Sequence, residues 1–434
     1  MSRGRRDLSE KGYRGSAARL MPAGTVLFSS RAPIGYCAIA SNEISTNQGF
    51  KSFLLKGEIS AEYVRYYLLA SVDYAESRAS GTTFKELSGS RAAELALPIA
   101  PVAEQRRIVG KIDSLTGRSR RARHHIDHIP RLVEKYKQAV LTEAFRGDLT
   151  REWRNENPTA IWSSRDLASL REQRETYVKS RRGSRLHRTG AADAHELPAG
   201  WFAAELSDVG SLQVGYAYKS KWYATEGVRL LRGANVAPGR VSWEDEVRLP
   251  PDLAADFTEY RVDAGDIVIA MDRPIISTGL KVARIKPEDA GCLLVQRVAR
   301  YVASDLVDDD YVWHLINSQH FIDHAVTQAT GSDLPHISSN DILTTPVPLP
   351  CITEQKEIAR RINVALSWID RLAAEATSAR KLIDHLDQAV LAKAFRGDLV
   401  PQDPNDEPAS ILLERINAER GEATKGKRGR KSQA

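Results

Sequence analysis

The sequence is poor in the residues and patterns from which self-contained chemistry is built. Its 434 residues hold three cysteines, Cys37, Cys292 and Cys351, too far apart for metal-ligand spacing. Sparse, unpatterned cysteine fits free thiols in a reducing cytoplasm better than a disulfide framework. No run of about 18 apolar residues occurs, so no membrane-spanning helix is expected. The opening MSRGRRDLSEKGYRG is basic but has no apolar stretch, so no secretory leader is expected either. There is no GxxxxGK(S/T) loop for nucleotide phosphates, no GxGxxG after a strand, and no HExxH. The Asn/Asp-Pro-Pro-aromatic tetrad of amino-methyltransferases is missing; NENPTA at Asn155 is not one. Asp266 and Asp272 could be imagined as a nuclease pair, but a lysine at the customary spacing is lacking. No catalytic residue, metal site or cofactor is therefore expected in this chain.

What is present is positive charge and repetition. The net charge of +6 and pI near 9.1 lean towards a polyanionic partner. Basic residues cluster in Gly117–Arg131, Ser180–Arg188 and Lys425–Lys431, either as contacts to such a partner or as solubilising linkers and tail. QAVLTEAFRGDL (Gln138–Leu149) returns as QAVLAKAFRGDL (Gln388–Leu399), identical at ten of twelve positions and offset by 388 − 138 = 250 residues. That distance is too long for a solenoid repeat of about 20–50 residues. It implies a whole module in tandem. At the same offset Val102–Ile112 falls on Ile352–Ile362, and the register holds without a gap from about residue 80 to residue 150.

Inside this frame an apolar heptad runs through Ile108, Ile112, Ile126 and Val133, and again through Ile358, Ile362, Ile369, Leu372, Ile383 and Leu386. The 3.5-residue average predicts two long coiled-coil helices, with Pro130 kinking the first. Gly147 and Gly397, each after Phe-Arg, read as helix stops in the left-handed conformation. Glu104-Gln105 and Glu354-Gln355, behind proline-containing segments, stand where a carboxylate favours the positive end of a helix dipole. Upstream, short apolar runs bounded by Gly, Pro and Ser predict strands, in order, in both copies. The copies differ in length. Leu197 to Gly331 is 331 − 197 = 134 residues, whereas the equivalent Gly81 has 80 residues before it, so the first globule is expected to lack roughly its first 50.

The candidate recognition residues are polar. Arg31 and Arg273 each precede a proline-containing turn at a strand end, where a guanidinium can face guanine or phosphate, or form a salt bridge that ties the turn. Asn47 and Gln48 carry amides suited to adenine, although Asn47 can equally hold a turn. Thr82 and Lys85 lie in one polar loop and His336 in its counterpart. Lys219, Lys221, Arg229, Arg232 and Asn235 are interleaved with aromatics, as a nucleic-acid face often is.

With ELPAGW opening a module, GTVLFSSRAPIGYCAIA followed by TNQGF, P-x-x-E-Q leading into each helix and AFRGDL closing it, the chain resembles the specificity subunit of type I restriction–modification enzymes over nearly its full length. The resemblance implies an α+β fold, two mixed α/β target-recognition globules alternating with two long antiparallel coiled-coil helices in pseudo-two-fold symmetry. Its segments would be 1–98 (first recognition domain, shortened), 99–150 (long helix), 151–195 (basic linker), 196–349 (second recognition domain), 350–400 (long helix) and 401–434 (helix and basic tail). It implies a non-catalytic, cytoplasmic subunit that reads a bipartite target in double-stranded DNA. Its partners would be two modification subunits, which bind S-adenosylmethionine, and restriction subunits, which use ATP and Mg. The competing reading is a non-enzymatic coiled-coil scaffold with protein-binding α/β modules.

Overall fold

In a computed structural model the chain is described at all residues except 3, 5–6, 82–84, 164, 167, 171, 173–196, 277–278, 329–335 and 420–434. It divides into two compact units interleaved in sequence, Met1–Ile129 with Ala374–Ala434, and Pro130–Ala373.

The first unit is built on β1 (Val26–Ser30), whose five residues are all buried. It is flanked antiparallel by β2 (Ile34–Ile39) and β3 (Phe50–Phe53). Continuous burial along Val-Leu-Phe-Ser-Ser is the signature of a central strand covered on both faces. Helix α1 (Ala61–Ala70) buries Tyr63, Val64, Tyr66 and Leu68, and Ser60 caps it by accepting the Tyr63 N–H at 3.2 Å. After Pro101 the chain enters α2 (Val102–Ile126).

Helix α3 (Ile129–Arg146) follows after a break at Asp127 and His128. The interruption therefore falls before Pro130 rather than at it. Pro130 takes the second position of the new helix, where its missing N–H costs nothing. Gly147 ends α3 with φ +82. Its N–H donates to Ala144 O and the Asp148 N–H to Glu143 O, the paired bonds of a Schellman stop. Gly397, at φ +83, makes the same pair with Ala394 and Lys393.

The second unit repeats the first with additions. β4 (Phe202–Glu205) pairs with β9 (Pro346–Leu349). A four-stranded antiparallel sheet runs β7 (Val282–Arg284), β6 (Ile267–Ala270), β8 (Val298–Ala303) and β5 (Gly210–Val214). β6, buried at all four residues, corresponds to β1. Helix α4 (Asp309–Ile316) is capped by Asp308, which accepts from Asp310 N and Tyr311 N. The 45-residue α5 (Ile352–Arg396), about 68 Å at 1.5 Å per residue, gives its first part to this unit and the rest to the other.

One arrangement ties each globule to its long helix. Gln355 is fully buried; its Oε1 accepts the Asp308 N–H (2.9 Å) and its Nε2 donates to Pro350 O (2.8 Å). Gln105, equally buried, accepts the Ser60 N–H (3.0 Å) and donates to Ala100 O (2.8 Å). Each side chain thus holds the N-cap of the globule's helix against the start of its own. Beside it Glu354, 2% exposed, accepts from Thr150 Oγ1 (2.8 Å), Arg154 Nη1 (2.8 Å) and Trp201 Nε1 (2.9 Å). The Glu-Gln dipeptide, read from sequence as a dipole contact, is a buried clamp.

The long helices pair antiparallel within each unit. Arg123 meets Asp384 and Asp387, each at 2.7 Å, and Arg380 meets Asp127 at 3.2 Å. Lys137 meets Asp370 at 2.7 Å, while Arg361 donates to Leu149 O. The expected seam needs correction. Ile108, Ile112, Ile358, Ile362 and Ile369 are buried, and Ile126, Val133 and Ile383 half-buried, but Leu372 and Leu386 are 41% and 57% exposed. Near its ends each helix packs on a globule as well as on its partner, as Ile108 and Ile112 do with Tyr63 and Tyr66. Mid-length the pair is held largely by ions and leaves apolar positions open.

Glu354→Ala strands three buried donors. Breaking a buried charged pair costs roughly 3–5 kcal/mol, so the expected outcome is a clearly lower melting transition of the whole chain. An unchanged transition would contradict the clamp.

Candidate nucleic-acid interface

The ends of β1 and β6 carry the polar residues singled out by sequence. Ser30 N donates to Gly49 O and Met271 N to Arg297 O, each at 2.8 Å, which makes these equivalent positions. The next residues, Arg31 and Asp272, form isolated bridges to Glu86 and His336. Arg31 therefore matches Asp272, and Arg273 matches Ala32, one residue off the pairing of the two arginines. Ala32 and Arg273 share a left-handed backbone, φ +48 and +45.

The paired side chains are inverted, base and acid in one place, acid and histidine in the other. Arg31 lies 3.8 Å from Glu86, which Lys51 also meets at 3.3 Å. At the matching place Asp272 is the acid, with Arg297 at 3.1 Å and His336 Nδ1 at 3.0 Å. With its proton on Nδ1, His336 donates to both Asp272 and Met271 O, each at 3.0 Å. Arg297 is also left-handed, at φ +69. Two non-glycine residues held there cost on the order of 1–3 kcal/mol each, strain that tends to collect at functional sites. Arg273 is exposed and in no ion pair among the described residues. Half-buried Lys281 stands close by; burial pushes its ammonium below the usual range, Asp272 opposes this and Arg273 adds to it. Its Nζ approaches the Cβ position of Gly233, so the Arg232–Asn235 turn borders the same cluster.

Other candidates sort by exposure. Asn47 Oδ1 accepts the Gly49 N–H at 2.9 Å, a turn-holding bond, while the residue stays exposed. Gln48, Lys85, Lys219 and Lys221 are exposed, Lys219 over the Trp222 ring. Thr82 lies outside the described residues, as do residues 180–188 and 425–431 of the basic clusters. Asn235 is a correction. It is fully buried, its Oδ1 accepts Arg232 N and its Nδ2 donates to Ser242 O and Asp245 O, so no amide edge is left for a base. Arg232 is spent on Asp245 (2.9 Å), and Arg229 on Glu288 O and the face of Trp243.

Lys281 and Arg297 were not singled out, because each interrupts a run that reads only as a strand. Asp266 and Asp272 stand at opposite ends of β6, roughly 20 Å apart at about 3.3 Å per residue, and Asp266 is paired with Arg300. They form no nuclease pair. Among the described residues no group of His, Cys, Asp or Glu could hold a metal ion. Burial pushes the thiols of Cys37 and Cys292 up to about 12, where a reactive thiolate is not populated. No described helix is long and apolar enough to cross a membrane.

The described residues thus form a duplicated α+β frame with divergent polar strand ends. Residues 6–127 match the type I restriction modification DNA specificity domain. The chain is 32% identical over 265 residues to the Escherichia coli EcoAI specificity subunit, covering 61% of this chain but 45% of that one. It is 24% identical over 385 residues to the E. coli EcoDI specificity subunit, covering 86% and 80%. A solved chain, from work on complex assembly and conformational transition of the type I R-M system, shares the fold at a TM-score of 0.65 and 18% identity, covering 88% of this chain and 84% of that one. The chain is thus similar to type I restriction–modification specificity subunits, with residues 6–127 matching their DNA specificity domain.

Because Asn235 closes a turn from inside, Asn235→Ala is expected to lower stability by about 1–3 kcal/mol through unsatisfied buried groups. Thermal denaturation checks this; a variant with unchanged melting would mean the turn holds without it.

Proposed function

We propose that this chain is the DNA sequence-specificity subunit of a type I restriction–modification complex. Residues 1–98 and 196–349 would be the recognition modules, each reading one half of a split target in double-stranded DNA. The carrying observation is the inverted pair: one backbone frame presents Arg31–Glu86 in one module and Asp272–His336 in the other. Related surfaces with different side chains are what a reader of two unlike half-sites requires. Arg273, exposed beside Lys281 and Arg297, is the leading base or phosphate contact of the second module; Arg31, Gln48, Lys85, Lys219 and Lys221 are further contacts. The long helices would dock two methyltransferase subunits, which supply S-adenosylmethionine and methylate adenine. Restriction subunits would bring ATP, Mg and cleavage. The chain itself would contribute recognition and no catalysis.

Co-expression with the cognate modification subunit in a methylation-free host, followed by genome-wide mapping of methyladenine, is expected to show a bipartite motif with a fixed spacer. A host left unmethylated while the two proteins co-purify would refute the DNA-reading role and favour a scaffold.

Arg273→Ala separates the two kinds of contact. If Arg273 reads a base, the motif relaxes at one position of one half. If it binds phosphate, affinity falls alike on all sequences, and the slope of log K against log salt drops by about 1. Salt-independent binding by the unmodified chain would exclude both.

A further inference from the structure

At the end of β6 the second unit carries an element that the first does not. In the first, β1 turns through Pro33 straight into β2, and Ser30 pairs with Ile34. In the second, Pro274 leads into a separate two-stranded ribbon, Ile275–Ile276 against Gly279–Leu280, before the chain reaches β7. The outer pairings fix the difference in length. Val26 pairs with Ile39, and its equivalent Ile267 pairs with Arg284. From turn proline to paired residue is 39 − 33 = 6 residues in one copy and 284 − 274 = 10 in the other, so the ribbon is an insertion of 10 − 6 = 4 residues into a shared frame.

The ribbon's root is fixed and its end is bare. Lys281 N donates to Pro274 O (2.6 Å) and Ala270 N to Lys281 O (3.0 Å), which ties the root to β6. Pro274 is buried, and so is Leu280 opposite Ile275. Ile275 and Ile276, by contrast, are 37% and 40% exposed. One exposed aliphatic side chain is ordinary. Two in succession on a strand point to opposite faces, so neither face is sealed against the core there.

Cations surround this apolar pair. Exposed Arg273 stands just before it and Lys281 just after it, with Arg297 at the same strand ends, bonded to Asp272. Pro238 Cβ lies 3.6 Å from where a Cβ of Gly279 would be. It belongs to a second ribbon, Val236–Ala237 with Arg240–Val241, whose Arg240 is exposed and in no ion pair among the described residues.

We propose that Ile275 and Ile276 read a thymine methyl group in the major groove of DNA. The inference rests on the reading of residues 196–349 as a DNA-recognition module. A major groove about 12 Å wide admits a two-stranded ribbon, and the thymine C5 methyl is the apolar group that base edges present there. Isoleucine neither donates nor accepts a hydrogen bond, so that methyl is the feature it can tell apart. The surrounding cations face the phosphates beside the groove, contacts that position a reader without carrying sequence. Because the ribbon is inserted in one module alone, it gives one half-site a contact that the other lacks.

The test uses the full chain with its modification subunit and duplexes carrying the mapped motif, in which each thymine in turn is replaced by deoxyuridine. Loss of the methyl is expected to weaken binding about fourfold at one position of one half-site, the scale for burying one methyl-sized group. With Ile275→Ser and Ile276→Ser together, the thymine duplex should bind about as weakly as the deoxyuridine duplex binds the parent, and deoxyuridine should cost nothing further. Both side chains are exposed, so the variant should melt with the parent. Deoxyuridine without effect at every position, or an equal loss in parent and variant, overturns the proposal and leaves DNA reading intact. So does a variant that still tells thymine from deoxyuridine but no longer co-purifies with the modification subunit, which would make the ribbon a protein contact. A parent complex that prefers no duplex refutes DNA reading itself, and this inference with it.

Discussion

The rest of this fold hangs on a buried glutamine. Gln355 and Gln105 each bond at once to the N-cap of a globular helix and to the carbonyl just ahead of a long helix. A primary amide is suited to this, since one end accepts and the other donates without bringing charge into the core. The bonds fix a globule's helix against the start of a long helix at two points. The alternative is to leave an N-terminal N–H and a carbonyl unpaired in the interior, at about 1–3 kcal/mol each. Position and orientation of each globule on its helix follow from that constraint.

Beyond the clamp, the two units diverge in how complete their surroundings are. In the second, the glutamate next to the glutamine gathers a threonine, an arginine and an indole from three stretches of chain. A carboxylate can accept several bonds, so one residue joins segments distant in sequence, and the low dielectric strengthens each bond. In the first unit the same residue type sits in the same place without those donors. Apolar replacement there would break no hydrogen bond among the described residues, which is the reverse of the situation at Glu354.

Much of this was legible in the sequence. The 250-residue register, the long helices, the glycine stops at Gly147 and Gly397 and the order of the strands follow from periodicity and punctuation, which local physics dictates. Four things were hidden. The partners of Glu354 and Gln355 are far off in sequence, so a dipeptide at a helix start showed its charge but not its clamp. The exposure of Leu372 and Leu386 depends on what stands beside the helices mid-length, which a heptad cannot report. The matching of Arg31 with Arg273 failed because the offset is not constant. It is 336 − 86 = 250 at the His336–Glu86 pair but 274 − 33 = 241 at the turn prolines. With that shift, an arginine one residue away took the place of the true counterpart, Asp272. Asn235 looked available because a sequence gives the residue type and not whether its bonds are already made.

The placement of the inverted pair explains how two units can keep one frame and still present different side chains. Arg31 and Glu86 are 37% and 39% exposed, Asp272 and His336 49% and 30%. Ion pairs in such surroundings contribute only about 0–1 kcal/mol, so exchanging one polarity for the other costs the fold little. The backbone bridges beneath, Arg31 to Glu86 and Asp272 to His336, do not depend on side-chain identity. At Glu354 and Gln355 the opposite holds, because every polar atom is buried and any change leaves a partner stranded. Variation is thus cheap at the exposed strand ends and costly where globule joins helix. A duplicated frame can therefore change what its strand ends present without disturbing how its globules are mounted.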